Sequence, residues 1–136
     1  MVDPNEELMI DSSSWIEFFR GSKIGEQVAE HLSMASNITL NVALAEVTCK
    51  VYEGVSDPQV AKALIDSVLA LSRIEMFTAE QAIRAGQLRA TFIKAGRQVS
   101  YADCLQMMVA RDRSIKVLSK DKIFAEVAEG ICLTED

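Results

Sequence analysis

The chain reads as an α/β protein, a three-layer α/β/α sandwich around a central, mostly parallel sheet of four or five strands. Three observations predict it. Short apolar runs rich in β-branched residues recur along the chain, and amphipathic stretches of helical period lie between them. Several of those stretches begin at a cap and end at a glycine. Strands separated by helices of this length need right-handed crossovers, which make neighbouring strands parallel.

The elements follow in order. Leu8–Ile10 is the first strand, an apolar run that ends in Asp11 and three serines. One serine is expected to cap the next helix through its side-chain oxygen, with Trp15–Phe19 as the helix body before Arg20-Gly21. A second helix covers Lys23–Met34, with Ile24, Val28 and Leu32 on one stripe. Asn37–Leu40 suits a second strand, after which Asn41 caps a helix over Val42–Glu53 that carries Glu46 and stops at Gly54. Asp57-Pro58 starts the next helix, and Val60, Ala61, Leu64, Ile65, Val68 and Leu69 give it a packing face. Ile74–Phe77 reads as a third, short strand.

Thr78-Ala79-Glu80-Gln81 fits a capping box that opens a helix to about Lys94, and Gly96 stops it. Ala82, Gly86 and Ala90 recur there every fourth residue, which implies a close backbone approach to a neighbour. Ser100-Tyr101-Ala102-Asp103 opens a helix carrying Leu105, Met108 and Val109. Ile115–Leu118 is the fourth strand, followed by Ser119-Lys120-Asp121, a short helix toward Ala128, and a fifth, edge strand at Ile131–Leu133.

At 136 residues the chain is expected to be one domain, 1–136, with 1–7 a flexible acidic tail. A hydrophobic content of 49% with few Gly and Pro argues against disorder. No apolar run approaches the roughly 20 residues that cross a bilayer, and the acidic N-terminal segment lacks the layout of a signal peptide, so a cytoplasmic protein is expected. Cys49, Cys104 and Cys132 are odd in number and widely spaced, so they read as buried small hydrophobes in a reducing compartment. His31 is the single histidine and falls on the solvent side of its helix, which leaves no base for a Ser-His-Asp or Cys-His arrangement. The net charge of −6 excludes nucleic-acid binding by bulk positive charge. It leaves room for cations that offset a local cluster of carboxylates.

Such a cluster is legible. Asp11 ends the first strand, Asp121 follows the fourth, Glu46 lies in the second turn of its helix and Asp103 in the first turn of its own. Ligands in open α/β sheets bind outside the carboxyl ends of the strands. Two carboxylates about 5 Å apart repel by roughly 3 kcal/mol at an effective dielectric near 20. Four in one cleft therefore require a counter-charge, and oxygen-rich sites suit magnesium or manganese. The simpler reading of each acid is structural: Asp11 and Asp121 as helix caps, Asp103 as the last member of a Ser-x-x-Asp capping box. Glu46 resists that reading, because its neighbours Leu44, Ala45, Val47 and Cys49 are apolar. Asp112, Glu17, Glu30 and Glu53 read as ordinary solvated charges.

These segments resemble the PIN-domain ribonucleases, and within them the VapC-type toxins of prokaryotic toxin–antitoxin pairs. The resemblance is carried by Ile10-Asp11-Ser12-Ser13, by Ile38-Thr39-Leu40 leading to Leu44-Ala45-Glu46-Val47, by Tyr101-Ala102-Asp103-Cys104-Leu105-Gln106, and by Val117 to Phe124. It implies a PIN-like domain that cleaves RNA phosphodiesters with Mg2+ or Mn2+. Asp11, Glu46, Asp103 and Asp121 would be its catalytic and metal-binding quartet, and Ser13 and Ser119 its supporting hydroxyls. A homodimer and a cognate antitoxin are implied in the same way. One departure is Lys122-Ile123-Phe124, where an extra acid often precedes the Phe.

Arg84, Arg89, Lys94 and Arg97 lie on or just after one helix, and Arg89, Lys94 and Arg97 are the expected contacts to an RNA backbone, with a solvated helix face as the alternative. Other classes remain to be weighed. A domain of this fold could keep the acids yet act as a protein-interaction or RNA-processing module. A phosphate-accepting Asp11 would want a second acid beside it and a better-placed lysine than Lys120. An aspartyl-phosphate hydrolase would want Asp-x-Asp, where Ser13 stands instead.

Overall fold

A computed structural model describes residues 6–34 and 36–135. Its described residues form a five-stranded sheet with helices on both faces. The elements are β1 (Glu7–Ile10), α1 (Ser12–Arg20), α2 (Lys23–Met34), β2 (Ser36–Leu40), α3 (Asn41–Gly54), α4 (Pro58–Leu71), β3 (Arg73–Glu75), α5 (Ala79–Lys94), α6 (Tyr101–Arg113), β4 (Lys116–Ser119), a 3-10 turn (Lys122–Ala125) and β5 (Gly130–Cys132). Every strand pair is parallel, and the order is β3-β2-β1-β4-β5. The predicted fold class and the edge position of the last strand are what the structure has.

Alternation along the strands builds two cores. Met9, Leu40 and Val117 face the layer of α5 and α6, where Ala85, Cys104, Met107, Met108 and Phe124 close over them. Leu8, Ile10 and Leu118 face the opposite way, toward Trp15, Val28, Val47, Val51, Ala61 and Val68. Trp15 is fully buried, and its indole N–H donates to the Thr39 hydroxyl at 3.0 Å, so the largest side chain of that core costs no unpaired donor.

The chain builds β1, β2 and β3 outward, then returns to place β4 on the other side of β1. The switch point between β1 and β4 is where such sheets open a crevice at their carboxyl ends. Asp11 N–H still donates to the Leu118 carbonyl at 3.0 Å, so the first residue past β1 is held by the strand beside it.

Several expectations change. No serine caps α1: Asp11 occupies the cap position without a side-chain cap bond, Ser14 donates to the Leu118 carbonyl, and Ser13 turns to Asp11. The stripe Ala82, Gly86, Ala90 is not a close-approach seam. A Cβ on Gly86 would meet nothing, Ala90 is exposed, and Ala85 is the residue α5 buries. The third strand begins one residue earlier, at Arg73, and ends at Glu75, short of Phe77, because it pairs only with β2. The helix expected toward Ala128 is a single 3-10 turn. Cys104 is buried as expected, whereas Cys49 is exposed and Cys132 half-buried. His31 is half-buried, so it is not a free surface residue. Of the acidic segment 1–7, residues 1–5 lie outside the described residues, and Glu7 opens β1 in ion pairs with Arg73 and Arg113.

Candidate metal centre

Asp11, Asp103 and Asp121 each bring a carboxylate oxygen to within 4.8 Å of the others. Three separate elements deliver them: the end of β1, the first turn of α6 and the loop after β4. Their burial is graded, with Asp11 buried, Asp103 half-buried and Asp121 exposed, so the cluster opens to solvent on one side. The capping readings are only partly met. Neither Asp11 nor Asp121 makes a side-chain cap bond. The Ser100 hydroxyl accepts from the Asp103 amide at 3.0 Å, and that serine, not the carboxylate, caps α6.

Glu46 approaches from α3. The Ser12 hydroxyl donates to its Oε1 at 3.3 Å, and it stands beside the three-acid cluster, not within it. Its pKa is raised by burial and by the charges of Asp11 and Asp121, with the Ser12 bond and Lys50 pulling the other way. Asp103 is pushed up to about 7, first by burial, then by Asp11 and Asp121. The Ser100 hydroxyl lowers it in part, and Glu46 raises it further. The charges that act most strongly on Asp103 are therefore all negative. Crowded carboxylates with open oxygens fit a hard divalent ion.

Asp11 is held from three sides. Ser13 and Ser119 each lie 2.7 Å from its Oδ2 with the hydroxyl donating, and the Gln106 amide donates to its Oδ1 at 2.9 Å. Ser119 in turn accepts from the Asp121 amide at 2.9 Å, and Ser13 from the Lys120 amide at 3.2 Å. The two serines expected as supporting hydroxyls thus tie the end of β1 to the loop after β4.

Two contributors escaped the sequence reading. Gln106 is fully buried, and its signal was a lone amide inside an apolar run. Glu17, read as a solvated charge, is buried and bonded to Arg20, Ser22 and Lys120. Burial by itself would raise its pKa, yet those partners hold it below the usual carboxylate range. It anchors Lys120 at 3.2 Å, next to Asp121, by a contact no local pattern announces.

The basic residues of α5 are mostly engaged. Arg84 pairs with Asp112 at 2.8 Å and Arg97 with Glu126 at 2.5 Å. Arg89 donates to the Val99 carbonyl at 2.9 Å and lies 4.2 Å from the centre of the Tyr101 ring. Arg89 and Arg97 line a concavity of about 650 Å³ with Gln98 and Ser100, and Lys94 is exposed nearby in sequence.

No curated protein matches the chain by sequence. Solved structures match it in fold. VapBC2 from Rickettsia felis, bound to a DNA fragment from its promoter, aligns with a TM-score of 0.74 at 15% identity, covering 93% of this chain and 97% of that one. VapC20 from Mycobacterium tuberculosis, a sarcin-ricin loop cleaving toxin, aligns with a TM-score of 0.73 at 18% identity, covering 90% and 95%. DNA-bound VapBC from Salmonella typhimurium aligns with a TM-score of 0.71 at 20% identity, covering 95% and 97%. The profile of the PIN domain matches residues 8–130, a span that starts in β1 and ends in β5 and so takes in all four predicted acids. On that match, and with the sheet order and acid cluster in place, this chain belongs to the PIN domain family.

Proposed function

We propose that the protein is a metal-dependent endoribonuclease that hydrolyses RNA phosphodiester bonds, and that it serves as the toxin of a toxin–antitoxin pair. The observation that carries this reading is the convergence of Asp11, Asp103 and Asp121 to within 4.8 Å at the switch point of the sheet. These three, with Glu46 beside them, would hold Mg2+ or Mn2+. When bound, such an ion lowers the pKa of a water and offsets charge on an attacked phosphate. Glu46, its pKa raised by burial and by Asp11, is one more carboxylate whose charge such a cation would offset. Ser13 and Ser119 keep Asp11 oriented, and the Glu17–Lys120 pair keeps the loop that carries Asp121 in place. No nucleophilic side chain is needed, in keeping with the high thiol pKa of Cys104, pushed up to about 11 by burial and by Asp103.

Family membership and the likeness to VapBC complexes support a cognate antitoxin; a homodimer and a cytoplasmic location belong to the same proposal. Among the described residues no helix is long and apolar enough to cross a membrane. Arg89, Lys94 and Arg97 would contact the RNA backbone beside the cleft.

The deciding experiment is cleavage of single-stranded RNA with Mn2+ or Mg2+ present. Wild-type protein is expected to cut, while Asp11→Asn and Asp103→Asn lose at least a hundredfold in rate. A folded wild type that leaves RNA intact under both metals, yet binds a partner protein, would favour the interaction-module reading instead.

A further inference from the structure

The segment Cys104 to Ala110 of α6 is buried throughout, and every member except Gln106 is apolar. Gln106 is fully inaccessible to solvent. Its Nε2 donates to Asp11 Oδ1 at 2.9 Å, while its Oε1 has no hydrogen-bond partner among the described residues. An apolar side chain of the same volume would remove that orphaned oxygen but would also strip the buried Asp11 Oδ1 of its donor, so the two effects on stability oppose one another.

Its worth lies in what it does to Asp11. A carboxylate offers about four acceptor positions, two on each oxygen. The serine hydroxyls occupy two on Oδ2, and Gln106 takes one on Oδ1. The remaining position on Oδ1 is the one left open. The Gln106 amide is the donor that fixes this oxygen. Without it the carboxylate would be held through Oδ2 alone and free to rock about the bond to its Cβ.

We infer that Gln106 is a positioning residue: it orients Asp11 Oδ1 for a divalent cation shared with Asp103 and Asp121. The inference rests on reading that cluster as a cation site.

The test compares wild type with Gln106→Met and Gln106→Leu in two measurements: the melting temperature without divalent ions, and Mn2+ affinity by calorimetric titration with MnCl2. The expected result is a melting temperature close to that of wild type in both variants, with Mn2+ binding weakened about ten- to a hundredfold. RNA cleavage at limiting Mn2+ should fall by a similar factor and recover as Mn2+ approaches saturation. A merely structural glutamine would give the opposite pattern, with lower melting temperature and unaltered Mn2+ affinity, and loss of folding in both variants would likewise overturn the idea. If wild type binds Mn2+ and both variants bind it equally, the role of Gln106 fails while the cation site stands. If wild type does not bind Mn2+, the cation reading fails and takes this one with it.

Discussion

Asp103 shows how one side chain registers the whole site. Its carboxyl titrates near 7 because burial and the neighbouring charges of Asp11 and Asp121 oppose ionisation in the folded state. The folded pKa lies above the unfolded value, so the stabilising contribution is complete below about 4 and is lost as pH rises toward and through 7. The melting temperature of metal-free protein should therefore fall between pH 5 and 8. His31 works in the other direction: burial lowers its folded pKa, so its contribution is lost as pH drops below 6.5. The diagnostic is the comparison with Asp103→Asn, which retains His31. That variant should be the more stable of the two at pH 8 and should show a flatter profile from pH 5 to 8. Equal profiles would mean that Asp103 is not held by its acidic neighbours.

At the scale of elements, the α1–α2 corner turns on one close backbone approach. Gly25 sits where a Cβ would overlap the Glu17 carbonyl and crowd the Phe18 amide, so α2 packs on α1 at a distance only glycine allows. Gly25→Ala should cost about 1–3 kcal/mol, in the range of overpacked cores. In thermal melts that corresponds to a fall of roughly 5 °C or more. The capping box of α5 gives a contrasting case. Thr78 accepts from the Gln81 amide at 3.1 Å, and Gln81 Oε1 accepts from the Thr78 amide at 2.9 Å. Thr78→Ala should lower stability by about 1 kcal/mol and leave the response to Mn2+ untouched, since α5 supplies none of the acids. A Thr78 variant that lost Mn2+ binding would show that the two layers are coupled more tightly than their separate cores imply.

For the molecule as a whole, charge is the constraint. The net charge is −6, and most arginines are already spent on carboxylates: Arg73 and Arg113 on Glu7, Arg84 on Asp112, Arg97 on Glu126, Arg111 on Glu129. On the proposed ribonuclease reading, RNA would therefore be gripped through few phosphates. Three contacts, from Arg89, Lys94 and an Arg97 released from Glu126, correspond to a slope of about −2 in log affinity against log salt for a single strand. Anisotropy titrations of the Asp11→Asn protein between 50 and 200 mM NaCl would measure it. A slope several times steeper would reveal a basic surface that these three residues do not account for, and unchanged affinity after Arg89→Ala and Arg97→Ala would remove them from the interface. Divalent cations belong to the same balance. Saturating Mn2+ should raise the melting temperature, because an ion that binds only the folded state adds RT ln(1 + [L]/Kd), about 2.7 kcal/mol at a hundredfold excess over Kd.

What the sequence by itself determined is the sort of information a short window contains. The apolar periods mark the strands and helices; Asp57-Pro58 and Thr78–Gln81 start α4 and α5 where expected. Asp11, Asp103 and Asp121 stand out because an acid at a strand end or a helix start is a local feature. Only the tertiary structure decided that β4 returns beside β1, which brings residues more than 90 positions apart to within 4.8 Å. It also decided that Glu46 stands next to that trio, that Gln106 faces Asp11, and that Glu17 is buried against Lys120. The physical reason is the same each time. Periodicity and capping are set by neighbours along the chain, whereas the environment of a polar side chain is set by whichever crossover places another element against it.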